Sequence, residues 1–481
     1  MKITALRCMS LCLGAGTLAL ALSLDAAESG AAGNAGTAAV TAPDPVRAQA
    51  REIFAHIVGI ESSIGKGKVP LVAKYLADRF KAGGFADADI HILPLGETAS
   101  LVVRYRGNGS GAKPIALMAH MDVVTAKRSD WQRDPYTLTE ENGFFYGRGT
   151  SDVKQEVALL TATFLRLKAE GFVPTRDLII AFSGDEETAQ ATARDLVTAH
   201  RDLVDAEFAL NGDGGGGVLA EGTAKPLIFY VQGAEKSSAE FLVTTHNPGG
   251  HSSQPRSDNA IYELADALKT LQHYEFPVQW NEWTLGDFKA ASQVTPGPLG
   301  AAMARFAADP GNAAAAAEIS KNPAFVGRVR TTCVATMLSG GHAENALPQS
   351  ATATINCRIF PGTSAADVQK TLQGLVGPKV DVRPGYDALV SNASPMRADV
   401  MNAVAKAVAA SDPGAPVVPT QASYATDGAV FRNGGIPTYG VGGVFIMDSE
   451  EFAHGLNERI RVKEFYNGLI YWDVLIKALA G

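Results

Sequence analysis

Residues 177–189 read DLIIAFSGDEETA, an apolar run that ends in three consecutive acids. The run 178–182 has the length and composition of a strand that is buried on both faces. Neighbouring carboxylates repel one another and raise one another's pKa unless a cation or solvent relieves them. The stretch therefore predicts a buried strand whose carboxyl end carries groups that a cation can neutralise.

Strand-like and helix-like segments alternate around this stretch. SLVVRYRG (100–107) and PIALMAHMDVV (114–124) read as strands, VKQEVALLTATFLRLKAEGF (153–172) reads as a helix, and AEFALNGDGG (206–215) as a short strand. Apolar strands between amphipathic helices indicate an α/β fold with a mostly parallel, mixed sheet that is covered by helices. Ligands of such sheets bind outside the carboxyl ends of the strands.

Candidate metal ligands stand at the ends of three of these strands. They are His120 and Asp122, Glu186 and Glu187, and Asp213, and one more acid, Asp152, stands where a Gly-rich loop enters a helix. A single acid at a strand end is usually solvated, and a single Asp at a helix start is usually a cap. Because the fold brings all of them to one edge of the sheet, the set predicts a shared site.

The residue types suit a centre with two metal ions. His120 and Asp122 are two positions apart, so on a strand their side chains leave the same face. A metal-bound imidazole commonly donates its second N–H to a carboxylate. A short Asp152 side chain can bridge two cations ~3.5–4 Å apart, a spacing typical of two-metal hydrolytic sites. The acids thus predict a divalent metal centre.

Five motifs carry a family resemblance. HMDVV, GRGTSDVK, SGDEE, NGDGG and EEFAHGLNERI resemble, in order and spacing, the co-catalytic di-zinc metallopeptidase family of aminoacylase, carboxypeptidase G-type, carboxypeptidase S-like and carnosinase-like enzymes. The resemblance runs from about residue 44 to the C-terminus. It implies that His120, Asp152 and Asp213 hold one Zn²⁺ and that Asp152, Glu187 and His454 hold the other, with Co²⁺ or Mn²⁺ as alternative ions. It also implies that Glu186 is the general base and then the acid, that Asp122 supports His120, and that a cis peptide follows Asp152.

The resemblance implies a second, inserted α+β lid or dimerisation domain, and the sequence pattern agrees. RTTCVATMLSGG (330–341) and QSATATINCRIFPG (349–362) alternate like antiparallel strands with one wet face. The expected divisions are a signal peptide at 1–27, a flexible linker at 28–43, the catalytic domain at 44–235 and 388–481, and the lid domain at 236–387. A largely helical segment at 280–329 is interpreted as an enlargement of the lid.

Three lid residues match substrate-binding positions of the family. By resemblance, His251 stabilises the oxyanion, Asn345 contacts substrate near the metals, and Arg358 binds a substrate carboxylate. From the sequence alone, a Gly-flanked His is more often a loop residue, and Arg358 can equally be a solvated strand end. In dimeric members the lid His serves the neighbouring subunit, so a homodimer through the lid is a further expectation.

The N-terminus reads as an export signal. Lys2 and Arg7 precede the apolar run LCLGAGTLALALSL, and small residues follow. This run is shorter than the ~20 residues that span a bilayer, so cleavage near Ala27 and a periplasmic or secreted chain without stable membrane insertion are expected; an uncleaved anchor is the alternative. Cys333 and Cys357 can pair in an oxidising compartment or stay as buried thiols.

Composition argues against one class of partner. A net charge of −8 argues against nucleic acid. The function expected is zinc-dependent hydrolysis of amide bonds in small peptides, of carboxypeptidase or dipeptidase type, through a metal-bridging water activated by Glu186. The alternative is an N-acyl amino acid amidohydrolase. A non-catalytic metal-binding or peptide-binding protein is disfavoured because every metal position and the base are occupied by competent residues.

Overall fold

A computed structural model describes residues 41–386, 388 and 390–481. The expected signal peptide and most of the expected linker lie outside the described residues. The helices are α1 Asp44–Val58, α2 Val69–Ala82, α3 Lys154–Ala169, α4 Ala191–Thr198, α5 Arg201–Val204, α6 Ala260–His273, α7 Glu282–Val294, α8 Gly297–Ala308, α9 Ala313–Ser320, α10 Pro323–Val326, α11 Ala365–Val376, α12 Ala398–Ser411, α13 Asp427–Asn433 and α14 Val462–Ala480.

The strands follow the same chain order. They are β1 Ile90–Leu95, β2 Thr98–Tyr105, β3 Ile115–His120, β4 Thr139–Glu141, β5 Phe144–Tyr146, β6 Leu178–Ser183, β7 Phe208–Asn211, β8 Gly216–Leu219, β9 Pro226–Glu235, β10 Ser237–His246, β11 Gly250–His251, β12 Thr332–Gly340, β13 Ala346–Leu347, β14 Ser350–Ile359, β15 Val380–Pro384, β16 Val417–Ala422, β17 Thr438–Gly440, β18 Phe445–Met447 and β19 Arg459–Arg461. Within the described part of the chain, no helix has both the length and the apolar character needed to cross a bilayer.

The large sheet is mixed, with parallel strands at its centre. Its order is β1-β2-β6-β3-β7-β17-β9-β8-β18, and β16 pairs with β9. Strand β3 runs parallel to both β6 and β7, whereas β1 and β2 extend the sheet in antiparallel fashion. The predicted α/β class with a mixed, mostly parallel sheet covered by helices is confirmed.

Both faces of this sheet are covered, and β6 shows why its sequence is apolar throughout. Ile180 and Phe182 pack in the core that α1, α2, α3, α12 and α14 form on one face. Ile179 and Ala181 pack against α4 and α13 on the other face. Successive side chains of a strand alternate between faces, so a strand covered on both sides needs apolar residues at every position. Full burial of a side chain such as Ile180 contributes about 1.5–3 kcal/mol.

A second sheet has the order β12-β14-β10-β15 and is antiparallel throughout. Helices α6 and α11 cover one of its faces, with Phe241, Ile355 and Leu372 in its core. A disulfide joins Cys333 on β12 to Cys357 on β14. The sequence left open whether these two cysteines pair or stay as buried thiols, and the structure shows that they pair. We call this sheet with its two helices the lid.

The helical segment that the sequence analysis assigned to the lid lies against the large sheet. Helices α7 to α10 have a small core of their own, which includes Phe288 and Phe306. Trp283 of α7, in contrast, is fully buried in the main core, and its indole N–H donates to the carbonyl oxygen of Ser394 at 2.8 Å. The Asn281 amide donates to Gln421 of β16 at 2.6 Å.

Candidate metal centre

The strand order explains how the predicted ligands meet. His120 is the last residue of β3, and β3 lies between β6 and β7. Because the three strands are parallel, the loop after β6 with Glu186 and Glu187 and the loop after β7 with Asp213 flank His120. The centre is thus built at the carboxyl edge of the sheet, where such folds bind ligands.

Asp152 lies between the two predicted imidazoles. Its Oδ1 is 3.1 Å from Nε2 of His120, and its Oδ2 is 2.9 Å from Nε2 of His454. The peptide bond after Asp152 is cis, as the family resemblance implies. One carboxylate oxygen faces each imidazole, which is the arrangement that a bridging ligand requires.

The other acids divide between the two sides of Asp152. Glu187 Oε2 lies 2.9 Å from Nε2 of His454. On the other side, one oxygen of Asp213 and one of Glu186 each lie 4.0 Å from Nε2 of His120. The ligand atoms of His120, Asp152 and Glu187 fall within 4.8 Å of one another, and so do those of His120, Glu186 and Asp213. The structure therefore brings all five predicted ligands and the predicted base together.

Asp122 has a wider role than the sequence suggested. The ring N–H at Nδ1 of His120 points to the backbone carbonyl of Asp122 at 3.1 Å, with the carboxylate at 3.4 Å. The carboxylate also accepts the backbone N–H groups of Glu186 at 3.2 Å and Glu187 at 3.1 Å. Asp122 thus fixes the tautomer that leaves Nε2 of His120 free for a metal, and it holds the acidic loop in place.

The three consecutive acids of residues 177–189 separate in space. Asp185 turns away from the centre, and its carboxylate accepts the backbone N–H groups of Ala191 at 2.8 Å and Thr192 at 2.9 Å at the start of α4. Only Glu186 and Glu187 face the centre, and the Gln190 amide donates to Glu186 at 3.3 Å. Like charges are therefore divided between a structural cap and the site.

The electrostatics of the site fit a cation. Burial raises the pKa of Asp213 and of Glu186 well above their usual range, and their carboxylate neighbours raise both further. Hydrogen bonds to Asp152 and Glu187 raise the pKa of His454 to about 10. Burial opposes the charge of Asp152, but the two imidazoles hold its pKa below the usual range. Divalent cations would replace these protons and relieve the repulsion between carboxylates. The donor set of imidazoles and carboxylates suits such ions.

Two supporting residues were not selected from the sequence. Glu458 is fully buried, and its Oε1 accepts the backbone N–H of Asp152 at 3.1 Å. Arg148 pairs with Glu458 and donates to the backbone carbonyl of His454 at 3.2 Å. Both lie inside motifs that carry the family resemblance, Arg148 in GRGTSDVK and Glu458 in EEFAHGLNERI. Their closeness in sequence to predicted ligands could therefore have indicated a supporting role.

The three predicted lid residues lie outside this centre. His251 and Asn345 are exposed on the small ribbon of β11 and β13, where Ser252 N–H donates to the Asn345 carbonyl at 3.0 Å. Arg358 is exposed on β14, opposite Thr332 and Ser238. None of the three lines the cavity over the metal ligands, so their substrate-binding roles remain predictions.

A cavity of about 430 Å³ opens over the ligands. Its walls include Tyr424 and Thr426, from the segment YATDGAVFRNGGIPTYGVGG at 424–443. Asp427, next in that segment, is buried, and burial raises its pKa to about 7. The segment thus forms part of the site's wall.

Comparison with known proteins decides the family. Residues 116–478 match Peptidase family M20/M25/M40. The chain belongs to this family. Its members are metal-dependent, so the chain is a metallohydrolase. The predicted resemblance to the di-zinc metallopeptidase family is confirmed. Among curated relatives, it is 26% identical over 379 residues to the human (Homo sapiens) N-fatty-acyl-amino acid synthase/hydrolase PM20D1, covering 77% of this chain and 74% of that protein.

Solved structures of the family share the fold. An M20 family metallo-carboxypeptidase from Sulfolobus solfataricus superposes with a TM-score of 0.67 at 16% identity, over 90% of this chain and 99% of that one. A protein from Bacillus subtilis, described as a dinuclear metal binding peptidase from the M20 family, superposes with a TM-score of 0.57 at 12% identity, over 90% of this chain and 98% of that one. At these identities, the likeness shows the fold alone.

Proposed function

We propose that this M20 hydrolase uses two Zn²⁺ ions to cleave amide bonds in small peptides that carry a free carboxyl terminus, as a carboxypeptidase or dipeptidase. The observation that carries the proposal is the position of Asp152, with one oxygen facing His120 at 3.1 Å and the other facing His454 at 2.9 Å. Bound zinc would polarise the substrate carbonyl and lower the pKa of water.

Glu186 is the proposed proton carrier. It lies beside the ligand set, 4.0 Å from Nε2 of His120, and the Gln190 amide holds it in place. Burial and the neighbouring Asp213 carboxylate raise its pKa well above the usual range of a glutamate, which favours uptake of a proton. Glu186 would take the proton of the attacking water and deliver it to the leaving amine.

His251 is the proposed donor to the oxyanion. Its Nδ1 accepts the backbone N–H of Ser253 at 3.1 Å, so a neutral ring carries its proton on Nε2 and can donate it. The exposed ribbon that carries His251 lies outside the cavity wall of its own chain. We therefore propose that a second copy of the chain, joined through the lid, supplies this residue.

The lid has a surface that suits such a homodimer. Strand β12 is an edge strand of the lid sheet, and three large apolar side chains on it are exposed: Val334, Met337 and Leu338. An exposed edge strand presents unpaired backbone groups that a second strand can bind. These features support pairing between the β12 strands of two copies.

Export is proposed on two grounds. The N-terminal run LCLGAGTLALALSL after Lys2 and Arg7 has the pattern of a signal peptide. The disulfide between Cys333 and Cys357 is a feature of proteins in oxidising compartments. A periplasmic or secreted location is consistent with both.

One alternative substrate class has specific support. The human relative at 26% identity is named an N-fatty-acyl-amino acid synthase/hydrolase, so an N-acyl amino acid amidohydrolase with the same centre is the second candidate. Assays with a dipeptide, a peptide library with free carboxyl ends and a series of N-acyl amino acids, all on one preparation, separate the two candidates.

The test of the mechanism is Glu186→Gln. We expect both metal ions to remain bound and turnover to fall by about 10²–10⁴-fold, because a positioned base contributes about that much. Glu52→Gln, which changes an exposed carboxylate on α1, is the control and should keep full activity. Full activity in Glu186→Gln, or activity that survives removal of the metal by a chelator, would refute the proposal.

A further inference from the structure

Two buried arginine–glutamate pairs flank the metal centre. We call Arg148 with Glu458 the Glu458 pair, and Arg432 with Glu235 the Glu235 pair. The carboxylates of both pairs are fully buried. A buried ion pair is a weak source of stability, because the cost of desolvation offsets much of the attraction.

The Glu458 pair contacts one side of the centre. Glu458 accepts the backbone N–H of Asp152 at 3.1 Å, and Arg148 donates to the carbonyl of His454 at 3.2 Å. These contacts hold the backbone of Asp152, which is the proposed bridging ligand, and the backbone of His454. Within the described residues, no hydrogen bond or ion pair of Arg148 or Glu458 reaches the lid strands.

The Glu235 pair reaches the opposite side through two side chains. Oε2 of Glu235 accepts the hydroxyl of Thr426 at 3.1 Å. The Thr426 hydroxyl oxygen in turn accepts the Asn211 amide at 3.1 Å, and Oδ1 of Asn211 accepts the backbone N–H of Asp213 at 3.0 Å. A continuous chain of hydrogen bonds therefore connects Glu235 with the loop that presents Asp213.

The same pair also contacts both passages of the chain between the large sheet and the lid. Glu235 is the last residue of β9, and Ser237 begins β10 of the lid. On the return passage, the Ser391 hydroxyl accepts a bond from Arg432 at 3.3 Å, and the Ser391 N–H donates to the Ser237 hydroxyl at 2.6 Å. Arg432 thus touches the outgoing and the returning segment at one point.

We propose that Glu235 and Arg432 are positioning residues that fix the Asp213 loop and the base of the lid together, whereas Glu458 and Arg148 position only Asp152 and His454. The inference rests on the proposed two-metal centre. Its consequence is that the Glu235 pair supports one ion, whereas the Glu458 pair, which holds the bridging Asp152, supports both. Weakening the Glu235 pair should loosen only the ion held by His120 and Asp213. Weakening the Glu458 pair should loosen the ion held by Glu187 and His454 and, through Asp152, the other ion as well.

The experiment compares Glu235→Gln with Glu458→Gln in the full mature chain. Each change keeps the side-chain volume and removes one buried charge. Stepwise Co²⁺ titration, followed by visible absorption, resolves the two ions. We expect Glu235→Gln to weaken the ion held by His120 and Asp213 and Glu458→Gln to weaken both ions, each by about 10–100-fold, as changes in the support of ligands commonly do. The binding of the ion held by Glu187 and His454 should therefore change in Glu458→Gln and stay that of the parent in Glu235→Gln. Glu235→Gln alone should also raise KM, because only this pair holds the base of the lid.

A gentler change tests position without removing charge. At Gly428 of α13, an added Cβ would lie 3.0 Å from the Thr426 hydroxyl and 3.4 Å from Oε1 of Glu235. Gly428→Ala should therefore displace this network and weaken the same ion as Glu235→Gln, to a smaller extent. Gly374→Ala is the matched control, since its Cβ would meet nothing within 4 Å, and it should leave both ions unchanged.

Thermal melting confirms that each variant is folded, and if Glu235→Gln does not fold, Gly428→Ala decides the question. The inference is overturned if the Glu235 variants bind both ions as the parent does, or if Glu235→Gln weakens the ion held by Glu187 and His454 as Glu458→Gln does. A parent chain that binds no divalent ion would instead refute the proposed function.

Discussion

Adjacent acids in one loop have separate tasks because each finds different hydrogen-bond donors. The Asp185 carboxylate accepts two backbone N–H groups at the start of α4. The Asp122 carboxylate accepts the N–H groups of Glu186 and Glu187 and so sets the direction of both side chains. Substitutions that look alike in the sequence should therefore have different effects.

Asp122→Asn should weaken metal binding by about 10–100-fold, the range typical of partners that orient metal ligands. The new amide group opposes one of the two N–H groups that the carboxylate accepts, so the acidic loop loses its position. Competition with a fluorescent chelator measures the affinity. Asp185→Asn is the control: it should lower the free energy of unfolding by about 0.5–2 kcal/mol, as the loss of a helix cap does, and leave the metal affinity near that of the parent. Equal metal affinity in the parent and Asp122→Asn would contradict this role.

Lys236 gives a prediction on pH. Its ammonium is buried at the base of the lid and donates to the Arg330 carbonyl at 3.0 Å, and burial, with the nearby Arg358 cation, lowers its pKa to about 7. Between pH 7 and the unfolded pKa near 10.4, the unfolded state binds more protons than the folded state. The contribution of Lys236 to the free energy of unfolding therefore rises with pH in that window, by up to about 1.4 kcal/mol per pH unit.

Urea unfolding at several pH values from 7.5 to 9.5 checks this prediction. The difference in the free energy of unfolding between the parent and Lys236→Met should grow in favour of the parent as pH rises. Lys379→Met, at an exposed position, should show a constant difference. A constant difference for Lys236→Met as well would show that the ammonium keeps its ordinary pKa.

Individual site residues could be predicted from the sequence where the backbone geometry determines which residues lie close together. His120, Glu187 and Asp213 could be grouped because each follows a strand of a parallel sheet, and such strands end at one edge. The separate role of Asp185 could not be predicted, because it depends on which side chain of a turn meets the first N–H groups of α4. Glu458 and Arg148 depend on contacts between loops about 310 positions apart, which no local pattern reveals.

At the scale of elements, the edge strand β12 carries the proposed contact between two copies of the chain. Met337 and Leu338 are about two-thirds exposed on this strand. Met337→Lys should convert a dimer to a monomer, because a charge on an edge strand opposes pairing with another edge. Sedimentation velocity measures the change. Val173→Lys, which alters an exposed apolar residue in the loop after α3, should leave the assembly unchanged. A parent chain that sediments as a monomer would contradict the proposed dimer.

The alternation of buried and exposed side chains along the lid strands could be predicted from the sequence, because one face of the sheet is buried and the other faces solvent. On β14, Ala353, Ile355 and Cys357 are buried, and the residues between them are less so.

The surface against which α7 packs could not be predicted from the sequence. Its position follows from Trp283 entering the main core and from Asn281 bonding to β16, and both are contacts over more than a hundred positions.

At the scale of the whole molecule, the disulfide is the covalent link within the lid. Cys333 and Cys357 are 24 positions apart, and closing a loop of that length is expected to stabilise the folded state by about 2–4 kcal/mol. The double variant Cys333→Ala/Cys357→Ala should lose about this amount in chemical unfolding. Unfolding the parent with and without a reducing agent is the control that keeps both sulfur atoms. Unchanged stability on reduction would show that the link contributes nothing.

The family, the fold class and the grouping of the ligands were within reach of the sequence, because five short motifs and one strand pattern encode them. The proposed path by which lid residues reach a substrate was not. His251 pairs with Ala346 across β11 and β13, and the backbone N–H of Ser252 donates to the carbonyl oxygen of Asn345. The proposed approach of His251 and Asn345 to the metals would depend on the arrangement of domains or subunits. That arrangement is determined by surfaces rather than by local patterns.

The packing of Trp283 has a practical consequence for protein engineering. A Cβ at Gly233 would lie 1.9 Å from the Trp283 ring, so β9 has room for the indole only because position 233 carries no side chain. Deleting residues 280–329 would remove Trp283 from the main core and α7 from the surface of β16, and would leave a cavity beside β9. Such a shortened protein should aggregate during expression unless the cavity is filled, for instance by a bulkier residue at position 233.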